Sequence, residues 1–424
     1  MKEDFLHYVW KLQLLNSNAL ECVSKEPVIV SNQGQQNFNA GPDFFNAKIK
    51  IGQQLWAGNV EIHVKASDWY VHHHETDPSY DSVILHVVWV DDAQIFRADN
   101  TLLPTLVLKN YVSDSVLNNY RKLLNKTDKW INCENNIVEV DNFTLNNWLE
   151  SLFIERLEQK ALLITSLLEE TAYDWEAVLF VLLAKNFGLK INGEAFLNMT
   201  KSFSFNVVRK VRTDKQNIEA LFLGMSQLLD KDEDVNYYKT LKSQFDYLKV
   251  KFKLQPSLAS KIQFFRLRPD NFPTIRLAQL AALYSKHHNL FSLLINVEKP
   301  EEIYKAFSIE LSEFWIHHYT FTSEKTGKRS KKLTHSFIDL LIINTIVPLQ
   351  FVYQKHLGKP TSEKTIGLLE QIKPEKNSVI NHFKDLGLPT GSAFKTQSLL
   401  QLKNNYCTKN NCLNCKIGHN LIVN

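Results

Sequence analysis

Acidic and imidazole side chains are concentrated in one short stretch of this chain, between positions 39 and 86. Asp43 directly follows a Gly-Pro pair, and Glu61 is separated from His63 by a single residue. Two neighbouring oxygen ligands on rigid strands suit a hard cation such as Mg²⁺ or Mn²⁺, and a nearby base can orient an attacking water molecule. These residue types predict the site of a metal-dependent hydrolase.

A β-hairpin is the element that would bring the two acids together. The segments 44–51 and 55–64 have the composition of strands, and Gly52 lies in the short turn between them. Folding the chain back at this turn places Asp43 within about one residue of the position opposite Glu61. We therefore expect the two acids to lie close together across the strands.

The second strand of this hairpin carries three chemically useful side chains on one face. Because side chains alternate along a strand, Glu61, His63 and Lys65 project in the same direction. We expect Asp43 and Glu61 to bind the metal, with His63 or Lys65 positioning water or stabilising the phosphate in the transition state. The alternative is a hairpin whose outer face is merely polar and solvated.

Three further histidines are candidates for the same cleft. His72 and His74 have a spacing that puts both imidazoles on one side of an extended segment, whereas His73 is interpreted as an exposed loop residue. His86 lies in an apolar run that predicts a buried strand. It is either a hydrogen-bonded core histidine or a side chain that points into the cleft.

A second group of possible metal ligands lies at the C-terminus. Cys407, Cys412 and Cys415 have the short spacing that lets sulfur atoms converge on one metal. His419 is the local candidate for a fourth ligand, and Cys133 is the distant one. We predict a structural Zn²⁺ site, with an iron–sulfur cluster as the alternative for an all-cysteine set. Free thiols in a C-terminal tail are the remaining interpretation.

Two basic segments could contact the phosphates of a nucleic acid. One surrounds a Pro-rich turn and the other is a dense basic loop, and their candidate residues are Arg266, Arg268, Arg276, Lys328, Arg329 and Lys331. The first segment is equally interpretable as a docking turn whose arginines pair with acids. The second has the alternative of an ordinary solvated surface.

The elements that position these residues divide the chain into unlike parts. Residues 4–15 have the spacing of an amphipathic helix, and short β-type runs follow as far as about Leu108. Beyond about Asp141 the pattern is helical almost to the end. We predict an α+β protein with three regions, a mixed α/β sheet domain, an all-helical domain and a cysteine-rich tail, at 1–135, 136–405 and 406–424.

Composition limits the classes of function that remain. The chain has 424 residues, 44% of them hydrophobic, so a compact folded protein is expected rather than a disordered one. The net charge of +4 excludes a global polycation, so any nucleic-acid contact must rest on a local patch. No apolar run reaches the roughly 20 residues that span a bilayer, and no secretory signal is visible. We expect a cytoplasmic protein without membrane contact.

Several motifs spread along the chain carry a resemblance to a known family. They are Gly41-Pro-Asp-Phe44, Gly58-Asn-Val-Glu-Ile-His63, Ser67-Asp-Trp69, Leu85-His-Val-Val88, Arg268-Pro-Asp-Asn-Phe-Pro273 and Cys412-Leu-Asn-Cys-Lys-Ile-Gly418. On these motifs the chain is similar to an uncharacterised domain-of-unknown-function family of Bacteroidetes. That resemblance implies no activity.

A more remote resemblance concerns the hairpin alone. Pro42-Asp43 entering one strand and Glu61-x-His63 on the next resemble the PD-(D/E)xK nuclease superfamily, whose hairpin presents two acids to a divalent metal. The resemblance implies a nuclease-like sheet domain with Asp43 and Glu61 as metal ligands. This chain departs from the pattern where the lysine is expected, because His63 occupies that position and Lys65 comes one step further along the same face.

Three functional hypotheses follow. The first is a divalent-metal-dependent nuclease that hydrolyses phosphodiester bonds in DNA or RNA. The second is a non-catalytic nucleic-acid-binding or scaffold protein on a degenerate nuclease fold, which the missing lysine favours. The third is a zinc hydrolase whose metal is bound by the histidines His63, His72, His74 and His86.

Overall fold

The computed structural model describes residues 1–16, 20–125, 129–257, 259, 261–360 and 362–424. Its fold class is α+β, as the sequence predicts, and the chain divides into two compact units. The first unit contains Met1–Trp148 together with Leu402–Asn424, and the second contains Leu149–Gln401. The sequence places its boundaries after residues 135 and 405. Leu402–Asn424 belongs to the same compact unit as the sheet.

The first unit is built on a curled, mixed sheet. The spatial order is β1-β3-β4-β5-β6, with the short β2 paired to β3. Pairing is antiparallel from β1 to β4 and parallel from β4 to β6. The strands are β1 (Val28–Asn32), β2 (Gln35–Gln36), β3 (Phe44–Ile51), β4 (Gln54–Lys65), β5 (Val83–Val90) and β6 (Thr105–Val107).

The hairpin formed by β3 and β4 confirms the expected turn. Gly52 has a φ of 62°, a conformation that glycine adopts without steric cost, and Ile51 pairs with Gln54 across the turn. The register then shifts at a bulge near Asn46, whose φ is 59°, so that Phe44 pairs with Val60. The bulge brings the residue before Phe44 level with the Glu61 segment.

Both faces of β5 are covered, which explains its continuous apolar sequence. One face contributes to a core shared with α1 (Glu3–Leu12), where Phe5 and Trp10 are fully buried. Burying a large apolar side chain stabilises a fold by about 1.5–3 kcal/mol, so this packing fixes the helix on the sheet. A smaller apolar cluster around Trp69 of α2 (Asp68–Val71) lies beside Val83 and Val88. Helix α3 (Asp114–Leu124) follows the sheet in the sequence.

The second unit is entirely helical in its described residues. Its helices enclose one extensive apolar core. They are α4 (Asn142–Glu170), which begins in the first unit, α5 (Trp175–Phe187), α6 (Leu189–Lys201), α7 (Phe205–Val211), α8 (Lys215–Met225), α9 (Asn236–Phe252), α10 (Pro273–Lys286), α11 (Leu290–Leu294), α12 (Pro300–Ala306), α13 (Glu313–His317), α14 (His335–Leu341), α15 (Val347–His356), α16 (Ser362–Glu370), α17 (Ser378–Asp385) and α18 (Ala393–Gln401).

One helical stretch of this unit, His335–His356, is long and apolar enough by composition to cross a membrane. In the structure 72% of its most apolar window is buried inside the protein. A π-helical turn at Ile342–Ile346 joins α14 to α15 within it. This burial is that of a core helix.

The C-terminal segment ends on α19 (Lys416–Val423) after a π-helical turn and a single 3₁₀ turn. Gly418 is required at its position because an added Cβ would lie 2.1 Å from the carbonyl oxygen of Cys412. The close approach holds the start of α19 against the turn that precedes it.

Candidate metal centre

Asp43 and Glu61 are linked by reciprocal contacts across the hairpin. The backbone N–H of Asp43 donates to Glu61 Oε2 at 3.1 Å, and the N–H of Ile62 donates to Asp43 Oδ2 at 2.9 Å. The predicted proximity of the two acids is confirmed. The hydrogen bonds hold both carboxylates in fixed positions on the sheet.

Glu61 is an acid in an unfavourable setting. Its side chain is buried, and burial together with the charge of Asp43 raises its pKa to about 9. Among the described residues, Asp43 and Glu61 form their ion pairs with histidines, and Glu61 has no lysine or arginine partner. The site therefore holds two acids whose partners are histidines rather than permanently charged lysine or arginine side chains.

His63 lies at the centre of the histidine group. Its Nδ1 is 2.9 Å from His86 Nε2, and its Nε2 is 3.1 Å from His72 Nδ1 and 3.5 Å from Glu61 Oε1. Burial and the neighbouring imidazoles lower the pKa of His63 to about 3, and burial lowers the pKa of His86 well below its usual value. Both imidazoles are therefore neutral near pH 7, the form in which a nitrogen can bind a metal.

His72 and His74 come together by a different backbone conformation from the expected one. The segment is not extended: His73 has a φ of 60°, and this left-handed residue separates α2 from a 3₁₀ turn that begins at His74. His74 is buried, stacks on Tyr80 with ring centroids 3.7 Å apart, and places Nε2 3.3 Å from Glu61 Oε1. His73 is exposed, as the sequence predicts.

These contacts form a set with the dimensions of a metal site. The ligand atoms of His63, His72 and His74 all lie within 4.8 Å of one another. A tetrahedral zinc ion with bonds of about 2.0–2.1 Å has ligands separated by about 3.3 Å. Glu61 Oε1 lies 3.5 Å from His63 Nε2 and 3.3 Å from His74 Nε2, and His63 Nε2 lies 3.1 Å from His72 Nδ1, so these three contacts are close to that separation.

His7 is a member of this site that sequence reasoning did not find. It lies on α1, and its Nε2 is 3.2 Å from Asp43 Oδ2. Burial lowers the pKa of His7, but contact with the Asp43 carboxylate outweighs this effect and the pKa is raised. The one local signal is the i, i+4 spacing of Glu3 and His7 on the polar side of an amphipathic helix. Nothing in the sequence links that helix to Asp43.

Lys65, the proposed substitute for the nuclease lysine, is exposed at the end of β4. Its backbone N–H donates to Asp68 Oδ2 at 3.0 Å, which closes the turn into α2. The buried part of the site is thus formed by acids and imidazoles.

The candidate cysteine ligands all belong to the first unit. His419, the other candidate for the fourth ligand, contacts a tyrosine. Its Nδ1 lies 2.7 Å from the hydroxyl of Tyr8 on α1. The cysteines are Cys133, Cys407, Cys412 and Cys415.

The basic residues proposed for nucleic-acid contact fall into two groups. Arg276 is buried and bonds to Asn271 and Gln279, and Lys331 is buried and donates to the carbonyl of Trp315. These two side chains support the packing of the second unit. The others are exposed: Arg266, Arg268, Lys328 and Arg329.

The fold and the site define an α+β protein with a cluster of acids and histidines on its N-terminal sheet. The chain belongs to the family described as protein of unknown function, DUF2851, whose family model matches residues 3–378. Comparison with curated proteins gives no match, and comparison with solved structures gives none either. The match supports the resemblance to a domain-of-unknown-function family that the motifs indicate.

Proposed function

We propose that this protein is a metal-dependent hydrolase that cleaves phosphodiester bonds in nucleic acid. The observation that carries the proposal is the clustering of three histidines around Glu61: the ligand atoms of His63, His72 and His74 lie within 4.8 Å of one another, and Glu61 Oε1 lies 3.5 Å from His63 Nε2 and 3.3 Å from His74 Nε2, distances close to the edge of a tetrahedral metal site. His74 and Glu61 are buried, so a bound ion would be held in a defined geometry.

The charge of the site supports a bound cation. Glu61, with its pKa of about 9, is protonated near neutral pH in the metal-free protein. A dication would displace that proton and stabilise both carboxylates, because opposite charge favours the ionised form. The neutral imidazoles of His63 and His74 need lose no proton to bind it.

The ligand types favour Zn²⁺ or Mn²⁺ over Mg²⁺ at this position. Imidazole suits transition metals, whereas Mg²⁺ prefers oxygen ligands and retains several waters. The acidic pair alone suggests Mg²⁺ or Mn²⁺, and the addition of three imidazoles shifts the preference. Such an ion supplies an activated water molecule near neutral pH.

The other side chains have distinct roles in this proposal. His86 Nε2 lies 2.9 Å from His63 Nδ1, and a His63 tautomer with its proton on Nδ1 would donate to His86 and present an unprotonated Nε2 to the ion. Neutral His86 can act in this way because burial disfavours its charged form. Asp43, steadied by Ile62 and His7, is the group that would accept a proton from the attacking water. The phosphodiester substrate rests on the resemblance of the hairpin to the PD-(D/E)xK superfamily.

The test combines metal analysis with cleavage assays. Wild type, Asp43→Ala, His74→Ala and His73→Ala would each be assayed on single- and double-stranded DNA and RNA with Zn²⁺, Mn²⁺ or Mg²⁺. We expect metal-dependent cleavage that is lost in Asp43→Ala and His74→Ala, with about one metal equivalent lost in His74→Ala. His73→Ala is the matched control, because this neighbouring histidine is exposed. Equal activity of wild type and Asp43→Ala would refute the proposal.

The second candidate is a non-catalytic nucleic-acid-binding or scaffold protein on a degenerate nuclease fold. Exposure of Lys65 favours it, as do the exposed basic residues Arg266, Arg268, Lys328 and Arg329. Salt-sensitive nucleic-acid binding without cleavage, weakened when Lys328 and Arg329 are neutralised, would support this candidate. A metal bound at the histidines without action on nucleic acid would instead support a zinc hydrolase acting on another bond.

A further inference from the structure

Four of the five cysteines come from two distant parts of the sequence. One lies in the turn that follows Trp130, and the other three lie within the C-terminal segment: Cys133, Cys407, Cys412 and Cys415. Each has a free thiol. The place of Cys133 in the chain gives no reason for it to meet the other three, so its position beside them would reflect the tertiary structure.

Direct contacts join the two segments. The side-chain amide of Asn132 lies 3.3 Å from Cys412 Sγ, although the two residues are 280 positions apart. Lys403 donates to the carbonyl of Trp130 at 2.9 Å and lies over the Trp130 ring at 4.3 Å. The residues that directly precede Cys133 are therefore held against the C-terminal segment.

Cys133 packs against the apolar cluster of the first unit that contains Cys412, so the distant cysteine and the C-terminal group lie in the same part of the structure. Burial raises the pKa of Cys133, Cys407 and Cys415, and the charge of every other cysteine in the group acts on Cys133 in the same direction. Cys22 differs, because burial and Glu26 raise its pKa without any contribution from another cysteine. A group of buried, mutually repelling thiolates is stabilised when a cation binds them.

We propose that Cys133, Cys407, Cys412 and Cys415 together bind a thiophilic metal centre, with Cys133 as the fourth ligand. The proposed set does not include His419, whose Nδ1 lies 2.7 Å from the hydroxyl of Tyr8, and the experiment below tests this choice directly. All-thiolate ligation suits either a single Zn²⁺ ion or an iron–sulfur cluster. On binding, the four thiols release their protons to solvent and their sulfurs become the metal ligands.

The spacing of the sulfurs helps to distinguish a single Zn²⁺ ion from an iron–sulfur cluster. In the part of the chain that the structure describes, the three ligand atoms that lie within 4.8 Å of one another belong to histidines. The cysteines do not form a set of that tightness, and the edge of a zinc–thiolate tetrahedron is about 3.8 Å. A centre with several metal atoms accommodates a wider set of sulfurs, so the test must distinguish the two.

The centre would stabilise one wall of a cavity of about 950 Å³ in the first unit. Cys415, Asn132 and Asn411 line this cavity, and so does His7 of α1. His7 also contacts Asp43 of the candidate metal centre. A cysteine-bound metal would therefore fix the C-terminal wall of the space that adjoins that site, whatever reaction occurs there.

The experiment measures metal in the full-length protein purified anaerobically without chelators. Zinc, iron and acid-labile sulfide would be quantified, with visible absorption, in wild type, Cys133→Ser, His419→Ala and Cys22→Ser. Each substitution would also be made in a His74→Ala background, so that loss at the histidine site is counted separately. Cys22→Ser is the matched control, because Cys22 is a buried cysteine outside the group.

We expect Cys133→Ser to lose the thiolate-bound metal in both backgrounds, while Cys22→Ser and His419→Ala retain it. Zinc without sulfide identifies a single ion, and iron with sulfide and visible absorption identifies a cluster. Should Cys133→Ser fail to fold, titration of wild type with a mercurial gives the same information, since about four equivalents should release the metal. Metal retained in Cys133→Ser, metal lost in His419→Ala, or no metal released by the mercurial would overturn the proposal.

Discussion

His7 Nε2 lies 3.2 Å from Asp43 Oδ2, and this contact connects the first helix to the entrance of the hairpin. Asp43 Oδ2 also accepts the N–H of Ile62, so the carboxylate is held from two sides. Its position beside Glu61 depends on a residue that is 36 positions earlier in the sequence. The candidate site is therefore completed by helix packing as well as by the hairpin.

The His7 contact predicts a loss of activity without a loss of metal. His7→Ala removes one of the two groups that fix Asp43 but none of the atoms in the histidine and Glu61 set. Removing a partner that orients a group at a metal site typically costs about 10–100-fold in activity. The rate of metal-dependent cleavage should fall in this range while metal stoichiometry stays unchanged. A wild-type rate in His7→Ala would contradict the assigned role.

A buried acid in the second unit predicts a large effect on stability. Glu219 accepts hydrogen bonds from the hydroxyls of Tyr237 and Ser312, each at 2.7 Å, and from the indole N–H of Trp315. Glu219→Ala leaves these donors without their acceptor, so we expect the free energy of unfolding to fall by on the order of 3 kcal/mol. Urea unfolding followed by tryptophan fluorescence measures it. Glu310→Ala, at an exposed position, should change the midpoint little.

A lysine in the same unit predicts a pH dependence. Lys160 Nζ donates to Ile343 O, Asn344 Oδ1 and Gln397 Oε1, and burial together with the charge of Arg156 lowers its pKa to about 7. An unfolded lysine titrates near about 10.4, so between these values the unfolded chain holds a proton that the folded chain lacks. The free energy of unfolding should therefore rise with pH above about 7, by up to about 1.4 kcal/mol per pH unit.

Comparison with Lys160→Met isolates this contribution, because other titrating groups are common to both proteins. Urea unfolding at about pH 7, 8 and 9 should give wild type an increasing advantage over the variant. Below about pH 7 the difference should be constant, since lysine is protonated in both states there. A difference that stays constant from about pH 7 to 9 would show that Lys160 keeps its proton in the folded protein.

Two glycines should respond to the same substitution in opposite directions. Gly418→Ala would place a Cβ 2.1 Å from the carbonyl of Cys412, and forcing this approach should lower stability by about 1–3 kcal/mol. Gly367 lies in α16 with nothing within 4 Å of an added Cβ, so Gly367→Ala should raise stability by up to about 1 kcal/mol. Thermal unfolding of both variants distinguishes the two effects. A stabilised Gly418→Ala protein would mean that the turn before α19 is looser than described.

Local periodicity was sufficient to predict part of the fold. The division into a sheet region and a helical region follows from side-chain periods of two and 3.6 residues. The β3–β4 hairpin follows from a glycine turn between two alternating segments, and it brings Asp43 close to Glu61.

The histidine pair shows where local reasoning reaches the right residues by the wrong geometry. His72 and His74 do lie together, but a left-handed residue at His73 brings them there rather than an extended strand. A positive φ at a non-glycine residue is costly by itself and is tolerated when surrounding packing requires it. Here His74 stacks on Tyr80, a contact that single-sequence spacing does not reveal.

The sequence by itself determined the hairpin, the adjacency of its two acids and the residue types available to bind metal. Only the tertiary structure placed His7 beside Asp43, turned His74 towards Glu61 and brought Asn132 next to Cys412. The physical reason is the range of the interactions involved. Hydrogen-bonded strands and helical faces follow from neighbours a few residues apart, whereas these contacts arise when separate elements bury apolar surface against one another.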